Sequence, residues 1–167
     1  YDYKINNNIK IFFHTNELLA SGGYWAALAG DKIYASYGAL IGSIGVKGPD
    51  WIYYDNPLTI STGILGQTVQ TKDGIKKYNT IAGRSKDLFD SFRMPTQEEK
   101  ESLQDIVNGV YIDFVNIVAK KRSIENHFII EDLGALIFDA RIANENYLID
   151  GVKDLEEVII QVVKELN

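Results

Sequence analysis

The chain has 167 residues, 46% of them hydrophobic and 24% charged, which suits one globular domain with a core of its own. A formal net charge of −6 argues against a nucleic-acid partner, which calls for a basic face. The absence of cysteine excludes disulfide and thiolate chemistry, and two histidines outside any H-E-x-x-H pattern argue against a zinc site, so neither metal nor cofactor is expected.

The start, Tyr1-Asp2-Tyr3-Lys4, is not the charged segment and apolar stretch of a signal peptide. Nor does any run approach the roughly 18 apolar residues of a membrane span. The first predicted strand is Ile9 to Phe13, and Thr15 to Leu19 leads from it to Ser21-Gly22-Gly23-Tyr24-Trp25-Ala26-Ala27-Leu28-Ala29-Gly30. A short helix is predicted from Gly23 to Ala29, with Gly30 placed to end it. The two glycines let the backbone turn sharply and approach a ligand. The helix start points free N–H groups and partial positive charge at the same place. Ser21 reads in two ways there. It is a plain N-cap, or it is a hydroxyl held beside donors for an oxyanion, as acyl transfer requires.

Lys32 to Ala35, β-branched and aromatic, is predicted as a strand. Gly38 to Gly45 reads as a flexible apolar loop, followed by a strand at Val46. Trp51-Ile52-Tyr53-Tyr54 is apolar and ends at Pro57. Thr59 to Gln70, rich in Gly and Thr, reads as a surface hairpin, with a flap over a peptide groove or an oligomer contact as the functional alternative.

Thr96 and Glu99 make a capping box with Pro95 just outside it. From there Leu103, Ile106, Val107, Val110, Tyr111, Phe114, Val115 and Val118 recur at three- and four-residue steps. This predicts a long amphipathic helix that ends near Lys120-Lys121-Arg122, where positive charge suits the dipole. Its stripe reads as core or subunit contact. Leu136 to Phe138 is a short strand, Asp139 caps a helix through Asn146, and Leu148 to Val152 returns to the sheet. Asp154 and Glu157 open a final helix with Val158, Ile159, Val162, Val163 and Leu166 on its apolar side. Alternating strands and helices favour an α/β fold with parallel strands.

Five segments in order carry a resemblance: Ser21-Gly22-Gly23-Tyr24, Asp31-Lys32-Ile33-Tyr34-Ala35, Gly42-Ser43-Ile44-Gly45-Val46, Ala82-Gly83-Arg84-Ser85-Lys86-Asp87, and Arg93-Met94-Pro95-Thr96-Gln97-Glu98-Glu99. Together, over roughly Ile9 to Val152, they resemble the serine/lysine peptidase family of signal peptide peptidase A. The resemblance implies a Clp protease/crotonase-like spiral of strand–helix units with mainly parallel strands. It makes Ser21 the nucleophile, Lys86 the general base, and Ser43 a second serine that orients the lysine. The Gly22 N–H becomes an oxyanion donor, and Gly23 and Gly42 join it in the oxyanion and substrate site. Ala82 and Ser85 depart from the residues more usual in the family, Ser and Tyr or His, without removing a reactive group. The stretch from Val46 to Lys86 is longer than usual. The implied partners are peptide substrates and further copies of the chain, with attachment to the cell membrane through a segment outside this sequence and an extracytoplasmic protease domain. On this reading residues 1–167 form a single peptidase domain that lacks its N-terminal strand–helix units, its anchor and a second oxyanion donor.

The chemistry is consistent with that assignment. A serine needs a base, and neither His14, near a strand end, nor His127, in a polar stretch, has the context of a triad. Lysine serves where burial brings its pKa from about 10.4 toward 7 to 8. Asp87, beside Lys86, would oppose this and must point away. Two other readings stand beside the peptidase. A crotonase-like acyl-CoA enzyme would need a CoA pocket and acidic catalytic residues but not Ser21. A non-catalytic scaffold would need none of Ser21, Ser43 and Lys86.

Overall fold

Short parallel strands, each followed by a turn or a helix, organise the chain. The structure, a computed structural model, describes residues 4, 6–54, 59–61, 68–70 and 76–166. They fall into two compact units, Tyr1–Lys47 with Val107–Asn167, and Gly48–Ile106. The first unit holds β1 (Phe12–Thr15), β2 (Leu18–Ala20), α1 (Gly22–Ala27), β3 (Lys32–Ala35) and β4 (Leu40–Gly42). The second holds β5 (Thr59–Ser61) and β6 (Thr68–Gln70), an antiparallel pair. The boundary falls inside α2 (Gln97–Arg122). A π-helical stretch at Phe128–Leu133, β7 (Ile137–Asp139), α3 (Ala140–Glu145), β8 (Gly151–Val152) and α4 (Leu155–Leu166) complete the first unit.

That unit carries two three-stranded sheets. In one, β3 lies between β1 and β8 with all strands parallel. In the other, β4 lies between β2, parallel to it, and β7, antiparallel. The mixed α/β architecture with mainly parallel strands matches the expectation from strand–helix alternation.

The core follows from the apolar faces. Ile33, Tyr34 and Ala35 of β3 are buried, as is Ile41 of β4. Onto them pack Tyr24 and Ala27 of α1, Phe114, Val115 and Val118 of α2, and Ala140 and Ala143 of α3. Tyr24 is wholly buried, and its hydroxyl donates to Leu148 O at 2.7 Å. A hydroxyl enclosed in this way requires such a partner. Trp25 stacks on Phe114, with centroids 4.6 Å apart. Asp150 fastens the end of α2 to β3 by accepting from Arg122 Nη1 at 2.8 Å and from Ile33 N–H at 2.8 Å. Burial works to raise the Asp150 pKa, but the Ile33 bond and the Arg122 guanidinium outweigh it and hold the carboxyl below its ordinary value.

Local signals placed several boundaries. Thr96 N–H donates to Glu99 Oε2 at 2.8 Å and Glu99 N–H to Thr96 Oγ1 at 3.2 Å, the reciprocal capping box expected before α2. Asp139 accepts from the N–H groups of Arg141 and Ile142 and so caps α3. Other expectations are corrected. The first strand starts at Phe12 rather than Ile9. β2 and β4 form within segments read as a lead-in and a loop, and Val46 is in no strand. Of the stripes, Phe114, Val115, Val118 and Val158 are buried, whereas Ile106, Val110, Ile159 and Val163 are exposed. Pro57, the connection over 62–67 and the Leu166 side chain lie outside the described residues.

Candidate active site

The parallel pairing of β2 with β4 sets Ala20 opposite Gly42. The next residues are Ser21 and Ser43, so the two serines leave the carboxyl ends of neighbouring strands side by side, at a strand spacing of roughly 4.8 Å. Ser21 N–H closes the ladder by donating to Gly42 O at 2.9 Å. Both serines have left-handed backbones, φ 52° at Ser21 and φ 53° at Ser43. This costs an L-residue on the order of 1–3 kcal/mol and persists only where the surroundings impose it. At Ser21 the strained residue joins a strand directly to a helix, the geometry that presents a hydroxyl at the top of a sheet.

Ser21 occupies the N-cap position of α1, yet its side chain makes no capping bond. The residue is exposed. Of its two sequence readings, the plain N-cap loses its main support. The N–H groups of Gly22, Gly23 and Tyr24 precede the first intrahelical bond, from Trp25 N–H to Ser21 O at 2.9 Å. A Cβ at Gly22 or Gly23 would meet nothing within 4 Å, so both glycines border open space. Gly42 is different. Its φ is +129°, and a Cβ there would stand 2.5 Å from Leu136 O. That carbonyl also accepts Ser43 N–H at 2.7 Å, so β7 runs tight against the strand end that carries both serines.

Lys86 belongs to the second unit. It is exposed, in a run of turns over residues 83–89. Its neighbour Asp87 faces Arg93, which donates from Nε to Oδ2 at 2.8 Å and from Nη2 to Oδ1 at 2.7 Å. The structure therefore brings Ser21 and Ser43 together in one unit and sets Lys86 in the other. Sequence reasoning missed Tyr24 as the buried anchor of the serine-bearing helix, and Arg93 as the partner of Asp87. Neither has a local signature beyond its place in the S-G-G-Y and R-x-x-T segments.

Asp90 accepts from Lys77 Nζ at 2.8 Å, Phe92 N–H at 2.9 Å and Asn79 Nδ2 at 2.6 Å, and these bonds hold its pKa down to about 2. The Arg93 guanidinium and Thr96 N–H hold Glu99 well below the carboxylate range. Carboxyls depressed in the folded state stabilise it above their unfolded values, near 4, and lose that contribution as pH falls through the folded values. The second unit should therefore loosen between about pH 4 and pH 2. The chain has two tryptophans, so a Trp25→Phe variant reports Trp51 alone. Trp51 packs on Phe89 at 5.2 Å and donates to Asp90 O at 3.2 Å. Its fluorescence should shift across that pH window, and an unchanged spectrum down to pH 2 would contradict the network.

The histidines offer no alternative base here. His14 Nε2 lies 2.9 Å from Lys153 O and 3.3 Å from Ser36 Oγ. A carbonyl only accepts, so that contact calls for an Nε2–H donor, and the Ser36 hydroxyl donates to Asn16 Oδ1 at 3.0 Å. His127 is exposed, at the start of the π-helical stretch. Among the described residues no His, Asp and Glu group could hold a metal ion, and no helix is long and apolar enough to cross a membrane.

The profile of peptidase family S49 matches residues 4–167. A protein of Enterococcus faecium described as a signal peptide peptidase SppA is 30% identical over 158 residues, 95% of this chain and 42% of its own length. A Methanocaldococcus jannaschii protein described as protease MJ0651 is 31% identical over 149 residues, 89% of this chain and 44% of its own length. The chain thus spans less than half the length of these relatives. A solved structure of the membrane-bound stomatin-specific protease 1510-N aligns over 90% of this chain and 54% of its own, with 15% identity and a TM-score of 0.45.

Proposed function

This chain belongs to peptidase family S49, and on that footing we propose that it carries the Ser/Lys dyad of a serine endopeptidase. Ser21 Oγ attacks the peptide carbonyl as Lys86 takes its proton. The Gly22 N–H stabilises the oxyanion, Lys86 returns the proton to the leaving amine, and water releases the acyl-enzyme. Ser43 orients the lysine from the neighbouring strand end. The observation that carries the reading is the Ser21 turn: a left-handed, exposed serine at a strand–helix junction, its hydroxyl unused for capping, with open space at the two glycines that follow. Strain of this kind persists only where the surrounding structure over-determines it, and it clusters at active sites. The substrates we infer are signal peptides or other membrane-derived or unfolded peptides. The setting we infer is an oligomer of Clp protease/crotonase-like spirals held at the membrane.

A fluorophosphonate probe should label the protein, and peptide mapping should place the adduct on Ser21. The base acts only when neutral, so cleavage should rise with pH toward a neutral to alkaline optimum. Labelling elsewhere, or an optimum near pH 5, would favour carboxylate chemistry and the crotonase-like reading.

A further inference from the structure

A carboxylate next to a lysine stabilises the ammonium and keeps it protonated. Asp87 is such a neighbour of Lys86, yet among the described residues no ion pair joins the two. The Asp87 carboxylate is instead gripped on both oxygens by Arg93. The same guanidinium grips Glu99 of α2, from Nη1 to Oε2 at 2.8 Å and from Nη2 to Oε1 at 2.7 Å. Glu99 is itself held by Thr96 N–H, so the fork is anchored to the first turn of α2. Trp51 stacks on the guanidinium, 5.3 Å from ring centroid to Cζ. The other charges around the segment have partners of their own. Arg84 pairs with Glu98 at 2.7 Å, and Asp90 with Lys77 at 2.8 Å.

We propose that Arg93 is a positioning residue for the base: it holds the Asp87 carboxylate off Lys86, so that the lysine can lose its proton and serve Ser21. This rests on the reading of Lys86 as the base. The task needs arginine, because four parallel bonds to two carboxylates require a planar fork and a lysine ammonium is a point charge. Loss of the fork frees Asp87 to swing onto Lys86, and proton loss then moves to higher pH.

The test is the pH dependence of kcat/KM for a fluorogenic peptide, measured on the whole protein. Arg93→Lys should move the ascending limb up by about one pH unit and lower the rate at pH 7 about tenfold, while Ser21 still reacts with the fluorophosphonate probe above the limb. Adding Asp87→Asn to Arg93→Lys should return the limb to its original place, because an amide cannot hold the ammonium. A rate lowered equally at every pH, or a limb that the second substitution fails to restore, would overturn the proposal. Asp87→Asn alone keeps the test open if Arg93→Lys does not fold. The limb should stay in place, and a downward move would show that Asp87 already acts on Lys86. If Lys86→Ala keeps the ascending limb, the fault lies with the base assignment rather than with Arg93.

Discussion

Replacing Ser21 with alanine should lower peptide cleavage by at least about a thousandfold and abolish fluorophosphonate labelling, because the nucleophile of a coupled pair carries nearly the whole covalent route. Stability should hardly change, by about 0.5 kcal/mol or less. The side chain makes no capping bond in the native state, so its removal leaves no partner unsatisfied. Alanine also bears the same left-handed strain as serine at φ 52°. The two measurements needed are kcat/KM and the urea midpoint on the same preparation. An alanine variant that still cleaves would remove Ser21 from the chemistry. One that unfolds would show that the hydroxyl is structural after all.

The largest effect on stability should come from Gly42→Ala, at about 3 kcal/mol or more. The new Cβ meets Leu136 O, a backbone atom, at 2.5 Å, with Ile137 Cα at 3.5 Å behind it. A backbone φ of +129° adds strain whatever the space. Relief requires β7 to move off β4, which breaks the Ser43 N–H bond to Leu136 O and disturbs the carbonyl that receives Ser21 N–H. Cleavage should therefore be lost along with stability. Gly22→Ala is the control, because its Cβ meets nothing within 4 Å and its φ lies outside the left-handed range. Urea denaturation of the pair should separate them clearly. Equal midpoints would mean that the β4–β7 register is wrong.

Features written in a few adjacent residues were legible in the sequence. The boxes at Thr96 and Glu99 and the cap at Asp139 are chemical bonds between neighbours in the chain, so residue types at fixed spacing announce them. The turn at Ser21 was legible because two adjacent glycines and a serine before an apolar run mark a helix start. β2 and β4 were hidden because three residues are too few to show a period of two. Glycines at both ends of the β4 segment also mimic a loop, and its identity as a strand comes from β2 and β7, outside the local sequence. The partner of Ser43 N–H, Leu136 O, likewise comes from outside the local sequence. The exposed Ile159 and Val163 of α4 satisfy a helical apolar pattern that does not say how much of it this unit covers. The Arg93 fork joins residues six apart on either side through a turn that no periodicity encodes.

The first unit is assembled from two stretches of chain with the second unit threaded between them. Its central strand β3 receives β8 only after the chain has run through α2, and Ile33 N–H waits for a carboxylate 117 positions later. Tyr24, which seats the helix behind Ser21, finds its acceptor 124 positions on. During translation, at about 5–20 residues per second, that separation amounts to a delay of several seconds at least. Closing such distant pairs is also slow in its own right. The Ser21 hydroxyl therefore leaves the ribosome long before the floor beneath its helix exists. A nascent chain at this stage has Ser21 but not the packing that seats its helix, so the geometry proposed for catalysis can form only once residues 148–152 have been made.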